Sequence, residues 1–212
     1  MFITFEGIEG CGKTTQVRRL VDRLTDLGVA VTQTLEPGDT RIGQDIRSIL
    51  LDTKNRGISP LTEVLLYAAD RAQHFVEVIR PALSQGRWVV CDRFFDATTV
   101  YQGYARGQDI PLINALNEKA CMGVRPDLTI LVDCPVEIGL DRARRRIMDT
   151  ALNGLEDRFE QQDLSFHQKV REGYLELAAQ FPERFRVLDA TMGPEQLHEE
   201  IVILLEPYFN SS

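Results

Sequence analysis

Glycines, a lysine and two threonines stand at a spacing able to hold a polyphosphate: Gly7-x-x-x-x-Gly12-Lys13-Thr14-Thr15. Glycines let the backbone turn so that several N–H groups point at one anion, and a following helix adds its positive N-terminus. Lys13 is of the right type to reach the outer phosphates, and we expect it to face solvent. The Thr14 hydroxyl is of the right type to ligate Mg²⁺. The pattern has meaning only between a strand and a helix. Phe2–Phe5 before it is apolar and β-prone, and 13–27 after it is amphipathic. A glycine-rich turn that binds nothing is the plainer reading, and the flanking elements weigh against it. The sequence therefore points to a nucleoside triphosphate.

A second group of residues could receive or move a phosphoryl group. Asp92 ends the apolar run Trp88–Cys91, where a carboxylate could hold Mg²⁺ through water, or could simply cap the strand. Arg93 would enter the same cleft. In Tyr67-Ala-Ala-Asp-Arg71 an aromatic ring and a guanidinium lie one helical turn apart. That suits a flat base with exocyclic oxygens, but equally a core aromatic beside a surface arginine. Arg142, Arg144, Arg145 and Arg146 crowd one and a half turns beside the irregular stretch 147–157. They read either as a solvated face or as cations on a closing lid, where charge builds on a transferred phosphoryl.

Around these residues, apolar β-rich segments (2–5, 29–35, 88–91, 128–132 and 185–188) alternate with helical ones (13–27, 41–52, 61–84, 111–121, 136–146, 163–180 and 194–206). Such alternation predicts an α/β fold: a five-stranded parallel sheet with helices on both faces, its strands buried on two sides. Ligands of such a sheet bind at the carboxyl ends of its strands, where Lys13, Glu36, Asp92 and Asp189 fall. The chain has 212 residues, 43% of them hydrophobic, enough for one domain over 1–212. Its net charge of −8 argues against nucleic acid as a partner. The four cysteines match no metal spacing, no apolar run is long enough for a membrane, and the phosphate loop uses up residues 1–14 where a leader would lie. A cytoplasmic protein is expected.

Glu6-Gly-Ile-Glu-Gly-Cys-Gly-Lys-Thr-Thr15, Glu36-Pro-Gly38, Ala69-Asp-Arg-Ala-Gln73, Asp92-Arg93-Phe94, Tyr101-Gln102-Gly103, Arg125-Pro-Asp-Leu-Thr129 and Asp157-Arg-Phe-Glu160 occur in this order. The series resembles the bacterial thymidylate kinases over nearly the whole chain. The resemblance implies a P-loop NTPase fold with a mobile lid at about 146–158, and transfer of the γ-phosphoryl of ATP to dTMP, with Mg²⁺, in a homodimer. It implies that Gly7, Ile8, Glu9, Gly10, Cys11, Gly12, Lys13, Thr14 and Thr15 surround the ATP phosphates and that Asp189 borders adenine. Glu9 would meet the 3′-hydroxyl of dTMP, Tyr67 would stack on thymine and Arg71 would bond its carbonyl edge. Arg93 would pair with the acceptor phosphate, with Glu36, Pro37, Arg47, Thr98, Tyr101 and Gln102 lining the pocket. Thr14 and Asp92 would hold the metal. Gly10 and Cys11 are not basic, so the resemblance places the catalytic cation in the lid, at Arg146 or Arg145. The chain departs from its relatives at Leu35 and Asp39, where an arginine and a glycine are usual. A kinase for another nucleoside monophosphate or deoxynucleoside is the alternative within enzymes. A nucleotide-binding switch is the alternative outside them, but no Asn-Lys-x-Asp segment is present to read guanine.

Overall fold

A computed structural model describes residues 1–55, 57–149, 158–159 and 162–209, the side chains of 146–149 excepted. Five strands, β1 (Phe2–Glu6), β2 (Val31–Leu35), β3 (Trp88–Asp92), β4 (Leu128–Asp133) and β5 (Phe185–Asp189), form one parallel sheet in the order β2-β3-β1-β4-β5. Phe2 pairs with Val89 on one side, and Ile3 pairs with Leu128 on the other. Helices α1 (Lys13–Asp26), α2 (Arg41–Leu51), α3 (Pro60–His74), α4 (Arg80–Ser84), α5 (Phe95–Thr98), α6 (Ile110–Ala120), α7 (Val136–Asp149), α8 (Leu164–Gln180) and α9 (Pro194–Phe209) connect or cover it. Among the described residues no helix is long and apolar enough to cross a membrane.

Alternation along β1 divides the core. Ile3 and Phe5 join Val17, Leu20, Val90 and Tyr174, while Phe2 joins Phe75, Ile79, Val89 and Phe94. The central strands are buried along almost their whole length, as a doubly covered sheet requires. The edge strands are not: β2 (Val-Thr-Gln-Thr-Leu) and β5 expose alternate positions. Two-sided burial therefore holds for three of the five expected strands, because an edge has a neighbour on one flank only.

Three stretches differ from the sequence expectation, one of them 147–149, expected in the irregular stretch but part of α7, which runs to Asp149. The helix expected over 61–84 contains a π-helical turn at Phe75–Ile79 between α3 and α4. Residues 95–105, which fall in none of the expected elements, are helical, with α5 running into a second π turn at Thr99–Ala105. These turns lack strong periodicity because one extra residue per turn breaks the 3.6 repeat. The second one carries Tyr101 and Gln102.

The chain leaves β1 toward β2 on one side and leaves β3 toward β4 on the other. The loops after β1 and β3 thus diverge and open a crevice between them, the place where such sheets take ligands. The loop after β1 docks on the first turns of α7. A Cβ on Gly10 would lie 2.0 Å from Gly139 O, and one on Gly139 would lie 2.6 Å from Glu9 O. Backbone meets backbone there, and neither side can yield. Gly139→Ala is expected to cost about 1–3 kcal/mol of stability and to weaken ATP binding by displacing the loop. Gly57→Ala, where a Cβ meets nothing within 4 Å among the described residues, is expected to do neither. Urea unfolding and ATP titration of both variants check this.

Candidate active site

The loop Gly7–Gly12 ends at Gly12, which caps α1 from a left-handed conformation (φ 105°) with no side chain of its own. The first N–H groups of α1 are thereby left for an anion. Lys13 is buried, not solvent-facing as expected. Its Nζ folds back to donate to Gly7 O (3.0 Å) and Ile8 O (2.7 Å). Thr14 Oγ1 donates to Asp92 Oδ2 at 2.5 Å, so the first turn of α1 and the end of β3 bring one hydroxyl and one carboxylate together. Hard oxygens beside a phosphate loop suit Mg²⁺, which keeps several waters and takes its remaining oxygens from phosphate. Gly10 to Gln16, with Arg142, Ala190, Met192, Pro194 and Leu197, line a cleft of about 400 Å³. Arg142 donates to Ala190 O (3.1 Å), and the Thr191 N–H donates to Asp189 Oδ1 (2.8 Å). That turn holds the Asp189 carboxyl below its usual range.

The other side of the crevice is built around Arg93. Its φ of 68° is a left-handed conformation that arginine rarely adopts. The guanidinium donates to Gly7 O (2.9 Å), Tyr174 Oη (3.1 Å) and Glu9 Oε1 (3.1 Å), and lies 5.0 Å over the Tyr101 ring. Tyr101 donates to the same Glu9 oxygen at 2.5 Å. Burial works to raise the Glu9 pKa, but His167, Arg93, Lys13 and Tyr101 together hold it down at about 2, so Glu9 is ionised. Beneath, Glu6 is fully buried and accepts from Tyr174 (2.7 Å) and the Phe94 N–H (2.8 Å). Burial and the charge of Asp96 push its carboxyl up to about 7, against the pull of Arg93.

A third group comprises the residues expected around the acceptor base. Arg71 is wholly buried. Its Nε donates to Glu36 (2.9 Å), Nη1 to Asn117 (2.8 Å), and Nη2 to Thr98 (2.9 Å) and Phe94 O (3.5 Å). Among the described residues this leaves one Nη1 hydrogen of the five that a guanidinium carries. Glu36 also holds His74 Nδ1 at 2.8 Å. Tyr67 is half-buried one turn before Arg71, its hydroxyl pKa raised by burial and by Glu63. Arg47 reaches Pro37 O (2.9 Å). Gln102 donates to Glu63 (2.9 Å), which also takes Arg106 (2.9 Å) and Arg158 (2.5 Å). Asp39 accepts from Thr34 at 2.5 Å, so its charge is tethered rather than free.

The structure thus gathers Lys13, Thr14, Asp92, Arg93, Glu9 and Tyr101 at one crevice and Glu36, Arg71 and Thr98 in one network. Arg145 projects 75% exposed and pairs with Asp141 at 2.9 Å, so in this arrangement it faces solvent. Arg146 lies on α7 with its side chain outside the described residues, as do most of the expected lid and Asp157. Arg158, at the end of that stretch, is buried on Glu63 and Leu50 O. Sequence reasoning gave no role to His74 or His167 and passed over Glu6 and Tyr174. The spacing of His167, Val170, Tyr174 and Leu177, one buried stripe of α8, was the available signal.

An α/β sheet with a phosphate loop after its first strand and a Thr14–Asp92 pair across the crevice defines a P-loop phosphotransferase or NTPase. A family model described as "Thymidylate kinase" matches residues 5–201. A thymidylate kinase of Geobacter sp. (strain M21) is 58% identical over 195 residues, 92% of this chain and 86% of that one. One of Trichlorobacter lovleyi is 54% identical, over 95% and 94%. A crystal structure of thymidylate kinase from Ehrlichia chaffeensis has a TM-score of 0.77 at 36% identity, over 97% of this chain and 98% of that one. The chain belongs to the thymidylate kinase family.

Glu6 gives a test of the buried electrostatics. Its folded pKa of about 7 stands above the ordinary value of 4.5, so the folded state binds the extra proton between those pH values. The resulting stability is complete below pH 4.5 and is lost as pH rises through 7. Asp70, raised to about 7 by burial and by Glu36, acts in the same sense. Glu6→Gln, whose carbonyl can accept from the Phe94 N–H while its NH₂ donates to the Tyr174 oxygen, should flatten the fall of unfolding free energy between pH 5 and 7 by up to about 1.4 kcal/mol per pH unit. Urea melts across that range measure it.

Proposed function

We propose that the protein transfers the γ-phosphoryl group of ATP to dTMP, giving ADP and dTDP on the way to dTTP, as one kinase domain over residues 1–212. The observation that carries this is the meeting of two anion-binding sets in one crevice. Lys13 and the α1 N-terminus lie on the donor side, and Arg93, Glu9 and Tyr101 on the acceptor side. Gly7 to Thr15 hold the ATP phosphates, and the cleft beside Arg142 and Asp189 takes the adenosine. Arg93 takes the acceptor phosphate, Glu9 its sugar 3′-hydroxyl, and Tyr67, Arg71, Thr98 and Gln102 border the base. Glu36, Pro37 and Arg47 form the wall on the phosphate side. Thr14 and Asp92 would hold Mg²⁺, which screens phosphate charge. The protein's part is to align two phosphates, exclude water and stabilise charge on the transferred group. Exposed Ile42, Ile49, Leu61, Leu65 and Leu112 on α2, α3 and α6 support a homodimer. Four free cysteines suit a reducing cytoplasm.

A coupled ADP-release assay across nucleoside monophosphates tests the acceptor. The remaining Arg71 donor suits an O4 carbonyl, whereas cytosine presents an amino group there. The expected order is dTMP, then dUMP, with dCMP slower by at least about a hundred-fold. AMP or dCMP in the lead would replace this reading with another nucleotide kinase. Lys13→Ala should abolish turnover in a folded protein, with thermal unfolding followed in parallel.

The lid cation is the second test. Arg146→Ala, Arg145→Ala and the double variant should lower turnover, by up to about three powers of ten for the acting residue, while ATP dissociation constants hold. Wild-type turnover in all three would make the basic run a solvated helix face.

A further inference from the structure

Glu9 is the acidic residue of the phosphate loop, and its two oxygens are treated unequally. Oε1 takes the Tyr101 hydroxyl at 2.5 Å and Arg93 at 3.1 Å. Oε2 is buried and, among the described residues, has no properly directed hydrogen bond. The group beside it is His167 Nδ1, at 3.2 Å. His167 is itself 0% exposed, and neither of its ring nitrogens has a directed partner among the described residues. Two buried polar atoms thus face each other at hydrogen-bond distance but off the hydrogen-bond angle. Leaving both unpaired would cost more than a small rotation of the carboxylate.

We infer that His167 is a positioning residue: its Nδ1–H holds Glu9 Oε2 and sets the carboxylate's plane for the acceptor sugar. The inference rests on the reading above, in which Glu9 meets the 3′-hydroxyl. A carboxylate offers about four acceptor sites. Tyr101 and Arg93 take the pair on Oε1, and His167 takes one on Oε2. The fourth site, also on Oε2, is covered in this arrangement; the rotation that seats the carboxylate on His167 turns it toward the crevice, where it calls for a hydroxyl that donates. An ionised Glu9 cannot donate in return, which fits a 3′-hydroxyl and rejects a sugar lacking one. α8 then serves the acceptor twice from one face. His167 sets Glu9, and Tyr174, two turns on, accepts from Arg93 and donates to Glu6.

The experiment uses the full chain, two variants of His167 and one of Glu9. His167→Phe keeps an aromatic ring and removes the donor. His167→Asn keeps an N–H near the position of Nδ1. Steady-state kinetics are measured with dTMP and with its 3′-deoxy analogue. His167→Phe should raise KM for dTMP about ten-fold with kcat changed by no more than about two-fold, and leave KM for the 3′-deoxy analogue unmoved. His167→Asn should recover most of the loss. Equal losses for both acceptors, or no rescue by asparagine, would reduce His167 to a packing residue and overturn the inference. A wild-type enzyme that does not distinguish dTMP from the 3′-deoxy analogue would instead overturn the assigned role of Glu9. The ¹⁵N resonances of the His167 ring in unliganded wild type and Glu9→Gln give a readout free of the acceptor. A shift of Nδ1 on removing the Glu9 charge supports the pairing, and an unmoved Nδ1 refutes it, whatever the acceptor is.

Discussion

Arg93 leaves β3 in a left-handed conformation that costs a non-glycine residue about 1–3 kcal/mol. The rest of the site depends on what this turn achieves. An extended continuation of β3 would carry the side chain onward along the sheet. The left-handed turn instead sends the guanidinium across to the neighbouring strand end, where Gly7 O, Glu9 and Tyr174 receive it. One side chain thereby joins the phosphate loop, the π turn bearing Tyr101, and α8. The backbone strain is offset by charge-assisted hydrogen bonds in a place where water competes little.

The half of the crevice proposed for the acceptor is sustained by charges that are buried yet partnered. Glu36 holds Arg71 and His74, Glu63 holds Arg106 and Arg158, and Asp96 takes both Nη groups of Arg184 at 2.7 and 2.8 Å. Removing one member of such a pair leaves the other uncompensated, at about 3–5 kcal/mol. The Glu36 and Glu63 groups enclose Arg71, Gln102 and Arg158 and fix that region more firmly than apolar packing would, because each has a geometry as well as a volume; the Asp96–Arg184 pair, which also reaches Thr129, ties α5 to the starts of β4 and β5. Gln102 and Thr98, expected to line the pocket, are hydrogen-bond partners within this frame. A net charge of −8 coexists with it because the pocket's arginines are neutralised locally.

Much of this was legible in the sequence. The phosphate loop, the five strands and the residues at their carboxyl ends follow from local rules: glycine spacing, apolar runs, and the rule that ligands gather where strands end. What escaped was non-local. Lys13 looks solvent-facing in a linear reading, and its burial depends on carbonyls that only the folded loop presents. His74 and His167 have no partner in sequence; their partners, Glu36 and Glu9, lie 38 and 158 positions away. The π turn at Thr99–Ala105 breaks the helical repeat and so falls in none of the expected elements. Asp39 appears in sequence to add charge near the acceptor, but Thr34, five positions earlier, holds its carboxylate.

The contact between Gly10 and Gly139 makes the phosphate loop a fulcrum and α7 a short arm. Backbone rests on backbone at that point, so the helix can pivot about it but cannot sink into it. A helix rises about 1.5 Å per residue, which puts the backbone of Arg145 about 9 Å along the arm. A tilt of about ten degrees would then carry Arg145 roughly 1.5 Å, the difference between a hydrogen bond and none. Reach at the basic end of α7 is thus geared to small rotations at its base, and a methyl group inserted at the pivot would change the gearing without touching a single charged residue.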